Sequence, residues 1–522
     1  MDQLTNHKTD LLLSDNTSLD LPQQTTIKPN RKPKMTILCS ECNQIRKRSN
    51  ENHQICQVCY KAKSVYIPSG NKVIDDFIKH TLISGNKLAG KMVFVPYDQF
   101  KNVEFIAEGG FSKIYKATWI DGPIMHEWNN VKNKYKNYKV VLKKLNNSKG
   151  ITSKELNELK IFHEFSLNWK MTGSNRNNVS RYFGITQDPV TKDIMIVMPH
   201  YKLGDLTNYI TNNFYSIEWV SKLYKLSQIV TGLINIHSVN ILHRDFHSGN
   251  IFFRDKYNTQ SVYLGDLGLS KSATEITDDD NNKENYGIIP YMAPEIFKGK
   301  KYTKESDIYS FGMIMWEFMT SRRPFWDRSH DTELIIEICD GLRPPIVTNA
   351  PKGYIELMKE CWHSDPNKRP VATDIFDRLD KMWKGELVPA EKTKIIQSLD
   401  IGPVTKNNPG AIYRSRSLSG MIQSAMFTMS TRSLRSQSIT AEFELSNYHQ
   451  KNDISFNDKR KFDATQIENS FNDEDKFIKK VKLIENENND YTTQEFELDI
   501  DIDSEQFIDD KRYTTLENDF DI

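Results

Sequence analysis

The feature that most constrains this chain is a set of short polar motifs at fixed intervals in its middle. The run His-Arg-Asp-Phe-His-Ser-Gly-Asn covers residues 243–250, Asp-Leu-Gly follows at 266–268, and Ala-Pro-Glu follows at 293–295. Around these motifs, from 103 to 383, short β-type runs alternate with helical runs. We therefore predict one folded domain of mixed α and β structure over residues 100–386.

The rest of the chain divides by composition. Residues 1–35 are rich in Thr, Asn, Gln and Lys and are predicted to form a disordered arm. Residues 36–65 hold a cysteine cluster, and residues 66–99 are interpreted as a linker segment with an apolar patch at 73–78. Over residues 387–522 a basic, serine-rich stretch gives way to an acidic one, a pattern typical of a disordered tail.

Charge and hydropathy argue against two kinds of partner. The 70 Lys and Arg residues nearly balance the 69 Asp and Glu residues, so the net charge favours neither nucleic acid nor a membrane surface. The sequence has no apolar run of about 18 residues, the length that a membrane helix needs. Its first residues also lack the apolar centre of a signal peptide. We therefore expect a protein of the cytoplasm, with the nucleus as the alternative.

Three features before the central motifs suit phosphate chemistry, which needs held phosphates, neutralised charge and an aligned nucleophile. The small pair Gly109 and Gly110 lies between two β-type runs, where the backbone can close over phosphates. Such a pair is more often only a hairpin turn. Lys143 ends an apolar strand, and Glu158 lies on a helical run fifteen residues later. A lysine in that position is otherwise only a solvated strand end.

In their order and spacing these motifs resemble the eukaryotic protein kinase superfamily across the whole predicted domain. The resemblance implies an α+β class and a bilobal fold. In that fold an antiparallel β-sheet N-lobe with one αC helix lies over a mostly helical C-lobe, preceded here by a small zinc-ribbon-like module. The run 306–312 resembles the helix that buries an aspartate beneath the catalytic loop. In the family, the residues matching Glu295 and Arg369 form an ion pair.

Two further likenesses concern the subgroup. The closing signature resembles that of tyrosine-kinase-like kinases, and the loop His-Ser-Gly-Asn at 247–250 resembles lineage-expanded kinase families of some fungi. The closing signature consists of Cys361, Trp362, Pro366, Arg369 and Pro370.

The resemblance also assigns roles at the site. Asp245 would accept the proton of the substrate hydroxyl, and Asn250 with Asp266 would hold two Mg²⁺ ions through oxygen ligands. Lys143, fixed by Glu158, would hold the α- and β-phosphates of ATP. The other ATP-binding residues that the resemblance implies are Ile106, Ala107, Glu108, Gly109, Gly110, Phe111, Ser112, Ile114, Val141, Met198 as gatekeeper, Pro199, Tyr201, Asp205 and Phe252.

Several positions depart from the family pattern. Ala107 and Ser112 replace loop glycines, and Val141 replaces an alanine in the adenine pocket. His247 stands where serine/threonine kinases carry a lysine that reaches the γ-phosphate, and an isolated imidazole is largely uncharged at neutral pH. Losing that contact is expected to cost about 2–4 kcal/mol of transition-state stabilisation. Ile288 replaces a threonine that normally bonds the catalytic aspartate. These changes keep a pseudokinase scaffold open as the alternative to an active enzyme.

The substrate class follows from the same loop. It lacks the Ala and Arg of tyrosine kinases, so the resemblance favours transfer to protein Ser and Thr hydroxyls, with dual specificity as the alternative. In the family the arginine matching Arg244 commonly meets a phosphate on the activation segment. This implies an upstream activating kinase acting on Thr274 or Thr277. Alternatively, the acidic run 278–280 already occupies the arginine.

The cysteine cluster has the spacing of a metal site. Two Cys-x₂-Cys pairs, Cys39 with Cys42 and Cys56 with Cys59, are separated by thirteen residues. Such pairs can present four thiolates to one tetrahedral Zn²⁺ in a closed structural site. Unrelated reduced thiols and a redox pair are the alternatives. The basic run 46–48 leaves contact with nucleic acid open, with protein docking or a merely solvated loop as the competing interpretations.

Overall fold

The computed structural model describes most of the chain between residues 36 and 432. The described ranges are 36–49, 54–84, 90–110, 112–123, 136–150, 155–169, 177–256, 259–272 and 285–432. All of them belong to one compact unit. Among these ranges, no helix has both the length and the apolar character needed to cross a membrane.

A small α/β module comes first. Strands β1 and β2 form an antiparallel hairpin, and helices α1 and α2 follow. Their bounds are β1 Thr36–Leu38, β2 Ile45–Lys47, α1 Gln57–Val65 and α2 Lys72–Ile83. Helix α2 begins where the Asn71 side chain accepts hydrogen bonds from the N–H groups of Val73 and Ile74.

Residues 66–99 are therefore more than a linker. The apolar patch predicted from the sequence is the inner face of α2, and its Ile74, Phe77 and Ile78 side chains are buried in the main core. Strand β3, Val93–Phe94, then joins the sheet that follows.

The N-lobe is a six-stranded sheet in the order β3-β7-β8-β6-β5-β4, antiparallel except where β3 meets β7. The remaining bounds are β4 Phe100–Glu108, β5 Ser112–Trp119, β6 Tyr138–Leu145, β7 Gly184–Gln187, β8 Ile194–Pro199 and the αC helix, α3, Asn157–Asn168. Successive side chains of a strand alternate between the two faces of its sheet. Val140 and Leu142 of β6 pack in a core on one face, so Val141 and Lys143 are directed to the other face.

The C-lobe is mostly helical, as the family resemblance implies. Its elements are α4 Leu206–Asn213, α5 Trp219–Ser238, β9 Ile241–Leu242, β10 Ile251–Lys256, β11 Thr259–Leu264, β12 Lys271–Ser272, β13 Tyr286–Gly287, α6 Pro294–Phe297, α7 Lys304–Thr320, α8 Thr332–Cys339, α9 Tyr354–Cys361 and α10 Ala372–Glu386. Helix α7 is buried at every residue from Ser306 to Thr320. A capping box of Thr303 and Ser306 fixes where α7 begins.

The chain after α10 differs from the prediction. Residues 387–432 pack against the C-lobe, so the expected disordered tail is wrong for this part; residues 433–522 lie outside the described ranges. Strand β14, Arg416–Ser417, pairs with β13, and a helix follows whose described part, α11, covers 419–432. Leu418, Ile422 and Ala425 are buried in the main core. Their spacing of three and four residues makes one buried apolar stripe on this segment.

Candidate active site

A buried ion-pair network joins the two lobes at Lys143. Its Nζ lies 2.9 Å from Oε2 of Glu158, on α3, and 2.7 Å from Oδ1 of Asp266, in the C-lobe. Burial alone would lower the pKa of Lys143, but the charges of Asp266 and Glu158 outweigh it, and the pKa is raised. Despite burial, the nearby ammonium lowers the pKa of Asp266, whereas burial raises that of Glu158. One cation thus holds together three separate segments of the chain.

The loop that carries Asp245 is held by hydrogen bonds to the buried side chain of Asp307. Oδ2 of Asp307 accepts the backbone N–H of His243 at 2.9 Å, and Oδ1 accepts that of Arg244 at 3.0 Å. Arg244 has a φ of +68°, a backbone conformation that residues other than glycine rarely adopt. Two charge-assisted hydrogen bonds to a buried carboxylate stabilise that strained turn. The role expected for the 306–312 helix is confirmed.

Asn250 and Asp266 are linked through a backbone hydrogen bond of Gly265. The Asn250 Nδ2 group donates to the backbone carbonyl of Asp245 at 2.9 Å, and the N–H of Gly265 donates to the carbonyl of Asn250. Asp266 has a φ of +55°, and its Oδ1 accepts the N–H of Gly268 at 3.2 Å. The side chains of Asn250 and Asp266 supply the oxygen atoms that suit Mg²⁺.

His247 and Ile288 are the two sharpest departures from the family pattern. Nδ1 of His247 accepts the N–H of Gly249 at 3.1 Å, so the ring hydrogen lies on Nε2, 3.6 Å from Oδ2 of Asp245. Ile288 is buried and has no hydroxyl to offer. The hydroxyl group that donates to Asp245 in this protein is instead the Oγ of Ser415. Ser415 was not identified from the sequence, because 170 residues separate it from Asp245.

The glycine-rich turn joins β4 to β5. Ala107 pairs with Ile114 across the two strands, and the N–H of Gly109 donates to the carbonyl of Ser112 at 2.7 Å. Ile106 and Glu108 lie on β4 before the turn, whereas Phe111 lies outside the described residues.

The predicted adenine residues lie on the neighbouring strands and on β10. Val141 pairs with Met198, and Pro199 ends β8 opposite Val140. The Tyr201 ring turns inward and stacks on Phe252, with ring centres 5.3 Å apart and planes at 11°. Asp205 is next to Phe252 through an isolated β-bridge. Its carboxylate is engaged in capping α4, where it accepts the N–H of Asn208 at 2.8 Å.

The activation segment is tied down at its C-terminal end. Arg369 makes two hydrogen bonds to Glu295, at 2.6 and 2.7 Å, which confirms the expected pair. The Arg244 guanidinium stacks on the Tyr302 ring at 4.5 Å, and its Nε has no hydrogen-bond partner among the described residues. The predicted phosphosites Thr274 and Thr277 lie outside those residues.

The four clustered cysteines come together as predicted. Their Sγ atoms all lie within 4.8 Å of one another, and those of Cys42 and Cys56 are 3.9 Å apart. Sulfur atoms about 2.3 Å from a tetrahedral zinc ion are separated by about 3.8 Å. Burial disfavours the Cys39 thiolate, but backbone N–H groups, first that of Cys56, lower the pKa of Cys39 to about 6. The sulfur geometry and the thiolate-stabilising hydrogen bonds fit Zn²⁺.

The two lobes, the ion-pair network at Lys143 and the buried Asp307 together define the bilobal protein kinase fold. The profile of the family "protein tyrosine and serine/threonine kinase" matches residues 100–379, more than half of the 522 residues. The chain therefore belongs to that family.

Several curated proteins are similar to this chain. "Probable serine/threonine-protein kinase pats1" of Dictyostelium discoideum is 30% identical over 59% of this chain and 9% of its own length. "Cyclic GMP-binding protein C" of the same organism is 28% identical over 56% of this chain and 11% of its own. A Dictyostelium protein named a probable LIM domain-containing serine/threonine-protein kinase is 27% identical over 40% of this chain and 31% of its own length. The chain thus spans less than a third of each of these relatives.

Proposed function

We propose that this protein is an active, ATP-dependent protein kinase that phosphorylates Ser and Thr hydroxyls of protein substrates. The observation that carries the proposal is the Lys143 ammonium, held between the Glu158 and Asp266 carboxylates. Such a buried cation, ordered before substrate arrives, is suited to holding the phosphates of a nucleotide.

Each neighbouring group has a definite task in this proposal. Lys143 orients the α- and β-phosphates, and the turn around Gly109 covers them with backbone N–H groups. Asn250 and Asp266 hold Mg²⁺, which supplies charge neutralisation at the phosphate oxygens. Asp245 accepts the proton of the substrate hydroxyl, because its carboxylate lies where a hydroxyl can donate to it. Val141, Met198 and Phe252 surround the adenine.

Specificity for Ser and Thr is inferred from two observations. Relatives named as serine/threonine kinases match this region, and a serine hydroxyl already lies against Asp245. The closing signature that includes Cys361 and Trp362 supports the tyrosine-kinase-like subgroup, and the His-Ser-Gly-Asn loop supports a likeness to fungal expanded families. Activity toward tyrosine as well is the alternative that product analysis decides.

The remaining parts of the proposal concern control and location. Arg244, whose Nε lacks a partner among the described residues, offers a guanidinium to a phosphate that an upstream kinase places on Thr274 or Thr277. The four cysteines hold a structural Zn²⁺, which requires reduced thiols and therefore the cytoplasm or the nucleus. The module can also present a surface to protein partners.

The test is phosphate transfer from ATP to a generic basic protein in the presence of Mg²⁺, followed by phosphoamino-acid analysis. Wild type and Asp245→Asn are compared as full-length chains, before and after treatment with an activating kinase. Phosphoserine and phosphothreonine made only by the wild type would support the proposal. ATP binding without transfer, in both conditions, would instead favour the scaffold.

A further inference from the structure

Ser415 occupies the position of a substrate in the proposed active site. Its Oγ lies 2.7 Å from Oδ2 and 2.9 Å from Oδ1 of Asp245. On its other side, its carbonyl oxygen lies against Gly110, so closely that a β-carbon at Gly110 would overlap it. The residue is therefore enclosed between the carboxylate and the glycine-rich turn.

The chain around Ser415 is bound as an added strand. Residues Arg416 and Ser417 pair antiparallel with Gly287 and Tyr286 of the activation segment. The N–H of Leu418 continues the ladder by donating to the carbonyl of Asn285 at 2.7 Å. Main-chain hydrogen bonds between an extended segment and a strand are a common way to hold a peptide in a fixed register. Here the register places the Ser415 hydroxyl at Asp245.

Contacts on the N-terminal side hold the same segment. The Tyr413 hydroxyl donates to the carbonyl of Pro324 at 2.9 Å, and the Arg323 guanidinium lies over the Tyr413 ring at 4.6 Å. Beyond Ser415, the Arg416 guanidinium donates to the carbonyl of His330 at 2.6 Å. All three contacts are made to residues of the C-lobe.

Contacts on the C-terminal side are apolar. Leu418 is completely buried, and Ile422 and Ala425 of α11 are buried with it in the main core. Burial of three apolar side chains on one helical face holds α11 against the C-lobe. The segment is thus anchored before and after the serine, and the serine itself is free to react at Asp245.

We propose that Ser415 is the enzyme's own phosphoacceptor, modified in cis, and that the unmodified segment closes the active site to other substrates. The proposal rests on the kinase function proposed above. Oγ of Ser415 forms a bond to the γ-phosphorus of ATP while the bond to the β,γ-bridging oxygen breaks. The hydroxyl proton passes to Asp245, and ADP leaves with the bridging oxygen.

The product is incompatible with the contact that made it. A phosphoserine carries a charge of about −1.5 to −2 and would stand next to the Asp245 carboxylate. Like charges at this distance repel, so phosphorylation of Ser415 expels the segment and opens the site. The neighbouring serines are placed differently: Ser417 is exposed, and Ser419 accepts the N–H of Asn285.

The experiment follows the position and the kinetic order of autophosphorylation in the full-length protein. Wild type, Ser415→Ala, Ser417→Ala as the matched control and Asp245→Asn are incubated with ATP and Mg²⁺ and digested for mass spectrometry. We expect phosphate on Ser415 in the wild type and in Ser417→Ala, and none there in the other two. Its first-order rate constant should stay unchanged over a tenfold range of enzyme concentration.

Ser415→Glu, which places a charge at Asp245 without transfer, completes the design. We expect it to phosphorylate an added basic peptide at least tenfold faster than Ser415→Ala. An apparent first-order rate constant that rises in proportion to enzyme concentration overturns the proposal. So does phosphorylation of the peptide by Ser415→Glu while Ser415 of the wild type stays unmodified, although the kinase function then stands. If neither the peptide nor Ser415 is modified by any variant, both the proposal and the kinase function are rejected.

Discussion

Arg369 and Glu295 form a bidentate ion pair in which the arginine side chain is completely enclosed. Its two N–O distances of 2.6 and 2.7 Å join the segment before α10 to the end of the activation segment. Breaking a buried pair by removing one partner leaves the other charge unpaired, which typically costs 3–5 kcal/mol. The pair therefore ties the segment before α10 to the end of the activation segment, and neither charge has its partner once the other is removed.

Replacing Arg369 with methionine should lower the free energy of unfolding by about 3–5 kcal/mol. The measurement is chemical denaturation of the full chain. Arg378→Met is the matched control, because its pair with Glu360 is partly exposed and should be worth no more than about 1 kcal/mol. Equal losses for the two variants would contradict the role given to burial.

Lys143→Met should reduce kcat/KM for phosphate transfer by about 10²–10³-fold, since it removes a preorganised cation from the nucleotide site. Lys144→Met is the control on the same strand, where the lysine pairs with Asp188 and Asp193 instead. Steady-state kinetics in the Ser415→Glu background would keep the tail from obscuring the effect. A comparable loss in Lys144→Met would argue against a specific role for Lys143.

Zinc removal should weaken the kinase through α2. Arg46 of the cysteine module donates to the carbonyl of Ile83 at 2.8 Å, and His80 of α2 contacts His163 of α3, the helix that carries Glu158. We expect one zinc per chain by elemental analysis, lost in Cys59→Ser together with at least half of the transfer activity. Cys339→Ser, which alters a buried cysteine far from the cluster in sequence, should keep both. Metal-free protein with full activity would refute this coupling.

The buried Lys222 predicts an unusual dependence of stability on pH. Desolvation lowers its pKa from 10.5 to about 7, and its Nζ lies 4.0 Å above the Phe214 ring. The folded state therefore binds fewer protons than the unfolded state between pH 7 and 10.5, and stability rises with pH across that window. The destabilisation caused by burying the charged Lys222 ammonium is fully present below pH 7 and disappears above pH 10.5.

Lys222→Met should accordingly raise the free energy of unfolding at pH 7 by about 2–3 kcal/mol, since the ring contact already offsets part of the burial penalty. The gain should shrink steadily as the pH approaches 10. Lys384→Met, at an exposed position on α10, is the control and should change stability little at any pH. A gain that does not vary with pH would show that packing, not charge, is responsible.

Much of the site could be predicted because its residues lie in motifs with short, fixed spacings. Lys143 and Glu158 are only fifteen residues apart, on a strand and the next described helix, so their pairing follows from local structure. The cysteine pairs were likewise visible in the spacing. Asp307 was recognisable because the run 306–312 resembles the family helix that buries an aspartate beneath the catalytic loop.

The docking of the tail could not be predicted, for a physical reason. Residues 401–440 are rich in serine and carry basic but no acidic residues, and Leu418, Ile422 and Ala425 form a buried face. Their spacing is that of one helical face, but the surface that buries this face belongs to the C-lobe, which is distant in sequence, so the place of docking is not visible locally. The stacking of the Tyr201 ring on Phe252 could not be predicted either. The rotamer of Tyr201 depends on packing with residues distant in sequence, and the spacing of residues in the sequence does not indicate it.

The most direct test of the account compares nucleotide binding with a single turnover of phosphate transfer in full-length wild type and Asp245→Asn. Asp245 is placed at the substrate hydroxyl and not on the metal. We therefore predict that Mg²⁺-ATP binds the two proteins with affinities that agree within about threefold, while transfer falls at least about 10²-fold in the variant. Equal transfer by both proteins, or tight binding with no transfer by the wild type, would contradict the account.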